Sequence, residues 1–411
     1  MKLVFIILLF FLLDLYFYFG TKGIVSKWFN KFNVFNFFYW VVSILVYFSI
    51  IYVVVTYERK TPSIRFNDSI IYSSIIFIIL ISKFLGILPI IIDDIIRFTK
   101  YLFRLFNSNK DTIDLSRLDF LKKSAIIVSG TIFLTLFYGM VFGRYNIKKY
   151  YQDIFIDNWP NSKSNYKIIH ISDLHLGSFN NIEKLEEVVS MINDENPDLL
   201  VFTGDLVNNY YFEVLPYVET LKKLKAKDGK YSVLGNHDYC DYVGWSRDSD
   251  EWKDNFKKLL EVEKKSGFKL LLNESKKILI GSNFFNLIGV ENWGSGRFNK
   301  DGDLDKSMNN VDDNFPTILL SHDPSHWENE VLKSKYKIDL QLSGHTHGMQ
   351  FGIEIPGFKW SPIKYRYRQW AGLYKNNGRQ IYVNRGIGHL GYAGRVGILP
   401  DISILNIKSK L

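Results

Sequence analysis

A chain of 411 residues exceeds one ordinary domain, and its composition changes sharply near residue 145. Its single cysteine, Cys240, excludes an intrachain disulfide and any thiolate metal cluster. The net charge of +9 admits a nucleic-acid partner, but much of the basic charge lies beside apolar stretches and reads as membrane-flanking Lys and Arg, so no stable nucleic-acid partner is expected.

Residues 1–143 read as a transmembrane region of about four helices. Leu3–Phe19, Phe37–Val55, Ile70–Ile92 and Ala125–Phe142 each approach the roughly 20 apolar residues that a bilayer crossing takes. The first has only Lys2 ahead of it and no small-residue cleavage site behind it, so it reads as a span and not as a signal peptide. Asp14 and Lys83 fall inside spans, where ionisable groups are costly. The first and third spans run in the same direction, which makes a pair geometrically possible, yet independent snorkelling is the preferred account.

The loop after the first span carries Lys22, Lys27 and Lys31, and the loop after the second carries Arg59, Lys60 and Arg65. After the third come Arg97, Lys100, Arg104, Lys110, Arg117, Lys122 and Lys123. With the first and third loops in the cytoplasm, ten basic residues lie inside against seven outside (Lys2, the second loop's three, Arg144, Lys148 and Lys149). That arrangement makes a multi-pass protein of the cell membrane and puts the remainder of the chain on the extracytoplasmic side.

Residues 144–165, polar and rich in Asn, Lys and Tyr, read as a connector, and 166–411 as a soluble domain. There, five short apolar runs each end in chemistry-bearing residues. Ile168–Ser172 leads to Asp173 and His175, and Leu199–Thr203 to Asp205. Tyr231–Leu234 leads to Gly235-Asn236-His237-Asp238, Ile318–Ser321 to His322, and Leu340–Ser343 to Gly344-His345-Thr346-His347. Such runs read as buried strands, and Asn181–Asn193 between them has the period of an amphipathic helix. Further strands are expected at Phe284–Val290, Gln380–Asn384 and Ile402–Ile407. In sheets fed by helical crossovers, ligands gather outside the carboxyl ends of the strands. Carboxylate, imidazole and amide oxygen without thiolate suit Mn, Fe or Zn better than Mg.

In order, spacing and residue type, these five groups resemble the signature of the calcineurin-like metallophosphoesterases, over roughly residues 165–408. The tail, with Gly372-Leu373-Tyr374 and Asn384-Arg385-Gly386-Ile387-Gly388, further resembles the membrane-associated bacterial branch of that superfamily. The resemblance implies an α/β fold, a two-sheet α/β/β/α sandwich, here preceded by transmembrane helices. It implies two divalent metal ions, with Asp173, His175 and His347 holding one, Asn236, His322 and His345 the other, and Asp205 bridging both. His237 is then the catalytic group, donating a proton to the leaving oxygen or stabilising charge, while Asp238 orients its own turn.

His170, His326 and His389 are read as structural. Gly386-x-Gly388-x-x-Gly391 matches a dinucleotide fingerprint by its letters, but nothing helical follows it, and it reads as a loop beside the site. Phe358–Trp370 alternates aromatics with Lys359, Lys364, Arg366 and Arg368. It reads equally as a face toward anionic headgroups, a nucleic-acid stacking surface or a solvated loop with some core aromatics. The expected function is a membrane-anchored, metal-dependent phosphoesterase acting on a phosphate monoester or diester, with a lipid or envelope substrate in view and membrane lipids as partners. The alternatives are a UDP-diacylglucosamine-type pyrophosphatase, a nuclease or cyclic-nucleotide phosphodiesterase, and a membrane scaffold whose domain only binds.

Overall fold

Tertiary contacts divide the chain into two units, parted between residues 141 and 142. The structure, a computed structural model, describes residues 2–28, 32–58, 66–106, 115–160, 165–296 and 298–410. Lys31, Arg59, Lys60, Arg65 and Lys110, used in the charge count, lie outside the described residues, as do connector residues 161–164.

Among the described residues the first unit holds five helices, α1 (Lys2–Trp28), α2 (Phe32–Glu58), α3 (Phe66–Gly86), α4 (Leu88–Phe106) and α5 (Leu115–Val141). Four stretches of the described residues are long and apolar enough to cross a membrane: Val4–Ser26, Val34–Tyr52, Ile70–Phe103 and Asp119–Tyr145. The 21 residues of α3 alone reach about 31 Å, a full crossing. The expectation of a basic loop after the third span is corrected here, because Arg97, Lys100 and Arg104 lie on α4. Leu88, Ile92, Ile95, Phe98 and Leu102 recur at helical spacing, and Pro89 sits in the first turn, where a missing N–H costs nothing.

Independent snorkelling of Asp14 and Lys83 is also corrected. Lys83 Nζ lies 2.6 Å from Asp14 Oδ1 and 2.9 Å from Ser43 Oγ. The Tyr47 hydroxyl donates to the second carboxylate oxygen, and the Tyr39 hydroxyl donates to the Asp14 carbonyl at 3.0 Å. α1, α2 and α3 touch one another, so a buried carboxylate on α1 finds its counter-charge on α3 and its hydroxyl on α2. Satisfying both charges inside the bundle replaces the solvation that snorkelling would seek.

The second unit is built from two six-stranded sheets among the described residues. The first runs β1 (Lys148–Ile156), β14 (Asp401–Ser409), β2 (Tyr166–Ile171), β3 (Leu199–Phe202), β4 (Lys230–Ser232) and β5 (Lys269–Leu270). The second runs β12 (Gly372–Asn376), β13 (Arg379–Val383), β9 (Leu340–Ser343), β8 (Thr317–Leu320), β7 (Asn283–Gly289) and β6 (Glu274–Ile280). A separate antiparallel hairpin joins β10 (Ile353–Ile355) to β11 (Phe358–Trp360). Part of the expected connector is therefore a strand: β1 pairs in parallel with β14, from Lys148 opposite Asp401 to Ile156 opposite Ser409. Its Lys, Tyr and Gln residues hide the strand in the sequence, and only Ile154 and Ile156 are fully inward.

Ile168, Val201 and Leu405 of the first sheet meet Phe285, Leu287, Ile318 and Leu342 of the second. The outer face of the first sheet is covered by α6 (Ile182–Asn193), α7 (Val218–Lys222) and α8 (Asp250–Lys265), through Leu185, Val188, Ile192, Leu221 and Leu259. The outer face of the second packs Ile288, Leu319, Ile381 and Val383 under Met308 and Trp327. This is the α/β/β/α sandwich. Because β2, β3 and β4 are parallel, as are β8 and β9, their carboxyl ends each open onto one edge.

The intramembrane pair yields a stability prediction. Asp14→Ala leaves the Lys83 charge buried without its partner and is expected to cost about 3–5 kcal/mol, whereas Asp14→Leu with Lys83→Met recovers most of that loss. Thermal unfolding of the full chain in detergent micelles checks this. A double variant no more stable than Asp14→Ala sinks the idea.

Candidate metal centre

At this edge the chain leaves each strand abruptly. Asp173 (φ 52°), His175 (φ 44°), Asp205 (φ 59°), His345 (φ 70°) and His347 (φ 49°) all adopt left-handed backbone conformations that non-glycine residues rarely accept. Strain of this kind collects where a surrounding structure over-determines the geometry, typically at functional sites. The supports are visible. The buried Asp238 carboxylate accepts from the N–H groups of Asp205 (2.8 Å), Leu206 (2.9 Å), Val207 (3.3 Å) and Gly235 (2.8 Å), joining the loops after β3 and β4. Asp173 accepts from the His345 N–H at 3.0 Å, which joins the loops after β2 and β9. The Gly386–Gly391 loop lies against the first of these, with Ile387 N–H donating to the Ser172 carbonyl and Gly388 N–H to the Asp173 carbonyl. A Cβ on Gly386 would lie 2.8 Å from that of Asp173, so this loop needs glycine for close approach.

The loops bring seven of the predicted side chains together. Asp173, His175 and His347 form one group and Asp205, His322 and His345 another, with the donor atoms of each group within 4.8 Å of one another. Asn236 joins the second, its Oδ1 lying 3.2 Å from His322 Nε2 and 2.8 Å from His345 Nδ1. Asp205 Oδ2 stands between the groups, 3.5 Å from His175 Nε2 and 3.3 Å from His322 Nε2.

The orientation of each ring tests whether these residues suit a cation. His175 Nδ1 faces the Val207 carbonyl (3.2 Å) and His322 Nδ1 the Thr203 carbonyl (2.6 Å). A carbonyl only accepts, so Nδ1 carries the proton in both rings and Nε2 turns a lone pair inward. Asn236 Nδ2 donates to the Tyr242 hydroxyl at 2.8 Å, which aims the amide oxygen inward too. Lone pairs of His175, Asn236 and Asp205 thus converge, while His347, whose Nδ1 accepts from Arg395 Nη2 (3.2 Å), turns its Nε2 proton toward His175 Nε2 at 3.0 Å. A positive ion resolves that arrangement, and the donor set fits a borderline divalent metal. Without an ion the field favours positive charge here: burial opposes charge on His322, but Asp205, with help from Asp173 and the Thr203 carbonyl, outweighs it and pushes the imidazole up to about 10, so a metal would take the place of its Nε2 proton. Burial pulls His175 down to about 3, keeping its ring neutral as a ligand must be.

His237 stands at the rim, half-buried. Its N–H donates to Asp205 Oδ1 (2.9 Å), its Nδ1 donates to the Asn208 carbonyl (2.8 Å), and its ring stacks on Tyr242 with centroids 4.5 Å apart. Of the histidines read as structural, His170 bonds Thr203 Oγ1 and His326 bonds Ser321 Oγ. His389 differs, for neither ring nitrogen has a hydrogen-bonding partner. Sequence reasoning missed Tyr367, whose hydroxyl lies 2.8 Å from His345 Nε2, and Tyr242, which orients Asn236. It also missed Arg395, fully buried and 3.2 Å from His347 Nδ1, and Asp323, buried with Oδ2 3.6 Å from His345 Nε2. Only Asp323, the immediate neighbour of His322, carried a signal in the linear chain.

A strand-end cluster of Asp, His and Asn on a two-sheet sandwich defines a metal-dependent phosphoesterase. Residues 166–349 match the calcineurin-like phosphoesterase family, and residues 1–144 match a calcineurin-like phosphoesterase transmembrane domain. The chain is 31% identical to the metallophosphoesterase YkuE of Bacillus subtilis over 253 residues, 61% of this chain and 82% of that one. It is 32% identical to a metallophosphoesterase of Aquifex aeolicus over 59% of this chain and 85% of that one. It is 29% identical to a transmembrane protein with metallophosphoesterase domain of Danio rerio, over 66% of this chain and 60% of that relative's own length. The chain belongs to the calcineurin-like metallophosphoesterases. It is a membrane-associated hydrolase of phosphate esters from a family that uses divalent metals.

Two substitutions separate holding a metal from moving a proton. Asp205→Asn is expected to abolish metal loading and hydrolysis together. His237→Ala is expected to keep its metal and lose rate by a factor on the order of 10²–10⁴. Metal analysis beside kinetics checks the pair, and a metal-free His237→Ala protein would contradict the assignment.

Proposed function

We propose that this protein hydrolyses a phosphate monoester or diester presented at a lipid surface, using two divalent ions and an active site on the extracytoplasmic side. The observation that carries the proposal is a segment shared by the metal centre and an apolar, basic surface. Between His347 and Trp370, the side chains of Met349, Phe351, Ile353, Ile355, Phe358 and Tyr365 are exposed, Tyr365 to 78%. Lys364, Arg366 and Arg368 are exposed in the same stretch, while buried Tyr367 turns inward to His345. Apolar and aromatic side chains mixed with basic ones suit the boundary between acyl chains and anionic headgroups. A substrate held there lies within one loop of the ligands.

In this reading Asp173, His175 and His347 would hold one ion and Asn236, His322 and His345 the other, with Asp205 near both. Mn, Fe or Zn bound there would supply Lewis-acid charge to the phosphoryl oxygens. His237 does the proton work. Its Nδ1 is committed to the Asn208 carbonyl, so the proton it can deliver to a leaving oxygen is the one on Nε2 of the imidazolium. Asp238 holds the loop under His237, and Tyr242 keeps both His237 and Asn236 aligned.

The orientation rests on the basic residues of α4 and the start of α5, including Arg97, Lys100, Lys122 and Lys123, which favour the cytoplasm. With an even number of spans, the soluble unit then lies outside, away from soluble nucleotide-linked precursors, and envelope phosphate esters come first. Asp157→Cys in a Cys240→Ser background is expected to react with a membrane-impermeant maleimide in intact cells. Labelling only after lysis reverses the orientation and returns the UDP-lipid reading to first place.

The lipid surface has its own test. Changing Lys364, Arg366 and Arg368 together to Gln is expected to weaken binding of the purified Mn²⁺-loaded protein to substrate in anionic vesicles, by roughly 1 kcal/mol per charge. The loss on a small soluble ester is expected to be much smaller. An equal loss on both substrates places these residues in the active site and removes the lipid argument.

A further inference from the structure

One group of buried side chains beside the metal centre is explained neither by packing nor by the ligand set. His389 follows Gly388, whose N–H is tied to the Asp173 carbonyl at 2.8 Å, and precedes Leu390, whose N–H is tied to Gln350 at 2.6 Å. Its ring is 1% exposed, yet both nitrogens are unpartnered. Arg144 has buried Nε and Nη1 atoms that are likewise unpartnered, and its guanidinium lies 4.9 Å from the centre of the Tyr145 ring. That ring is in turn 6.2 Å from the His389 ring. Arg395 spends Nη1 and Nη2 on carbonyls of His347, Arg385, Gly386 and Gly388 and on His347 Nδ1, which leaves its buried Nε without a partner.

These groups feel one another. Burial, then Arg144 and Arg395, then His175 and His347, hold the His389 imidazole well below its usual range. Among the described residues no carboxylate lies within ion-pair distance of Arg144. Buried donors left unpartnered cost stability, and a folded chain keeps such groups where a ligand or ordered water completes them. Two guanidinium groups and an imidazole, without an acid among them, select an anion.

The geometry points to an anion pocket formed by Arg144, His389 and the Nε edge of Arg395, beside Asp173, His175 and His347, which receives a second anionic group of the substrate. The inference deepens the phosphoesterase reading and rests on it: the scissile phosphoryl group lies at the ligands, and a phosphate or carboxylate of the same molecule lies in the pocket. The substrate class is then an ester with two anionic groups. A headgroup and a free bisphosphate share that chemistry.

Inorganic phosphate is the first probe. Titrated into full-length, EDTA-treated protein in micelles, it is expected to bind wild type and to bind Arg144→Gln and His389→Gln at least tenfold more weakly, with Arg144→Lys recovering part of the loss. The second probe is turnover by the Mn²⁺-loaded protein of a glycerol bisphosphate, of the matching monophosphate, and of a diacylglycerol-linked headgroup with two phosphates in vesicles. The fall in kcat/KM for Arg144→Gln is expected to be at least tenfold larger on the doubly anionic esters, and the arm with the larger fall identifies the source. Phosphate binding that depends on Arg144 without hydrolysis of any ester supports the pocket and counts against the phosphoesterase reading. Hydrolysis with equal losses on singly and doubly anionic esters, or wild-type protein that binds no phosphate, overturns the pocket and leaves that reading intact.

Discussion

The Asp238 carboxylate, with four backbone N–H groups directed at it, is the contact on which the rest of the site depends. Those donors come from the turns after β3 and β4, so Asp205, Asn236 and His237 move as one piece. The four bonds satisfy a carboxyl group that is wholly buried, and together they offset the left-handed conformation imposed on Asp205. Had the turn relaxed, Asp205 would swing away from both His175 and His322.

The same economy governs the imidazoles. Backbone carbonyls choose the tautomers of His175, His237 and His322, and the Tyr367 hydroxyl holds the ring of His345 in place. Rings held from behind present lone pairs in front, which is what separates a metal centre from a cluster of buried histidines. Tyr367 also links that outer layer to an exposed aromatic and basic surface, so both belong to one loop.

The membrane unit solves a related problem with different means. Asp14 and Lys83 are each tolerable in a bilayer because Ser43, Tyr39 and Tyr47 complete the pair. In the helix bundle the buried pair is answered atom by atom, whereas beside the sheet edge His389, Arg144 and the Nε of Arg395 are not.

Local sequence determined a good deal. Short β-branched runs ending in Asp, His or Asn located β2, β3, β4, β8 and β9 and the Asp, His and Asn residues that gather at their ends, because strand period and turn chemistry are nearest-neighbour properties. The Asn181 cap and apolar spacing located α6 in the same way. Four apolar stretches were legible because a bilayer reads length and hydropathy alone. What only the tertiary structure decided were pairings between distant residues. β1 looked like a polar connector because its partner β14 is some 250 residues away in the chain. α4 was hidden by basic residues that resemble a loop until the helical spacing of Ile92, Ile95 and Phe98 places them on one side. Tyr367, Tyr242 and Arg395 reach the ligands across loops, and Asp14 reaches Lys83 across 69 positions. Such contacts leave no local pattern, since their energy arises only when the folded chain removes water from both partners at once.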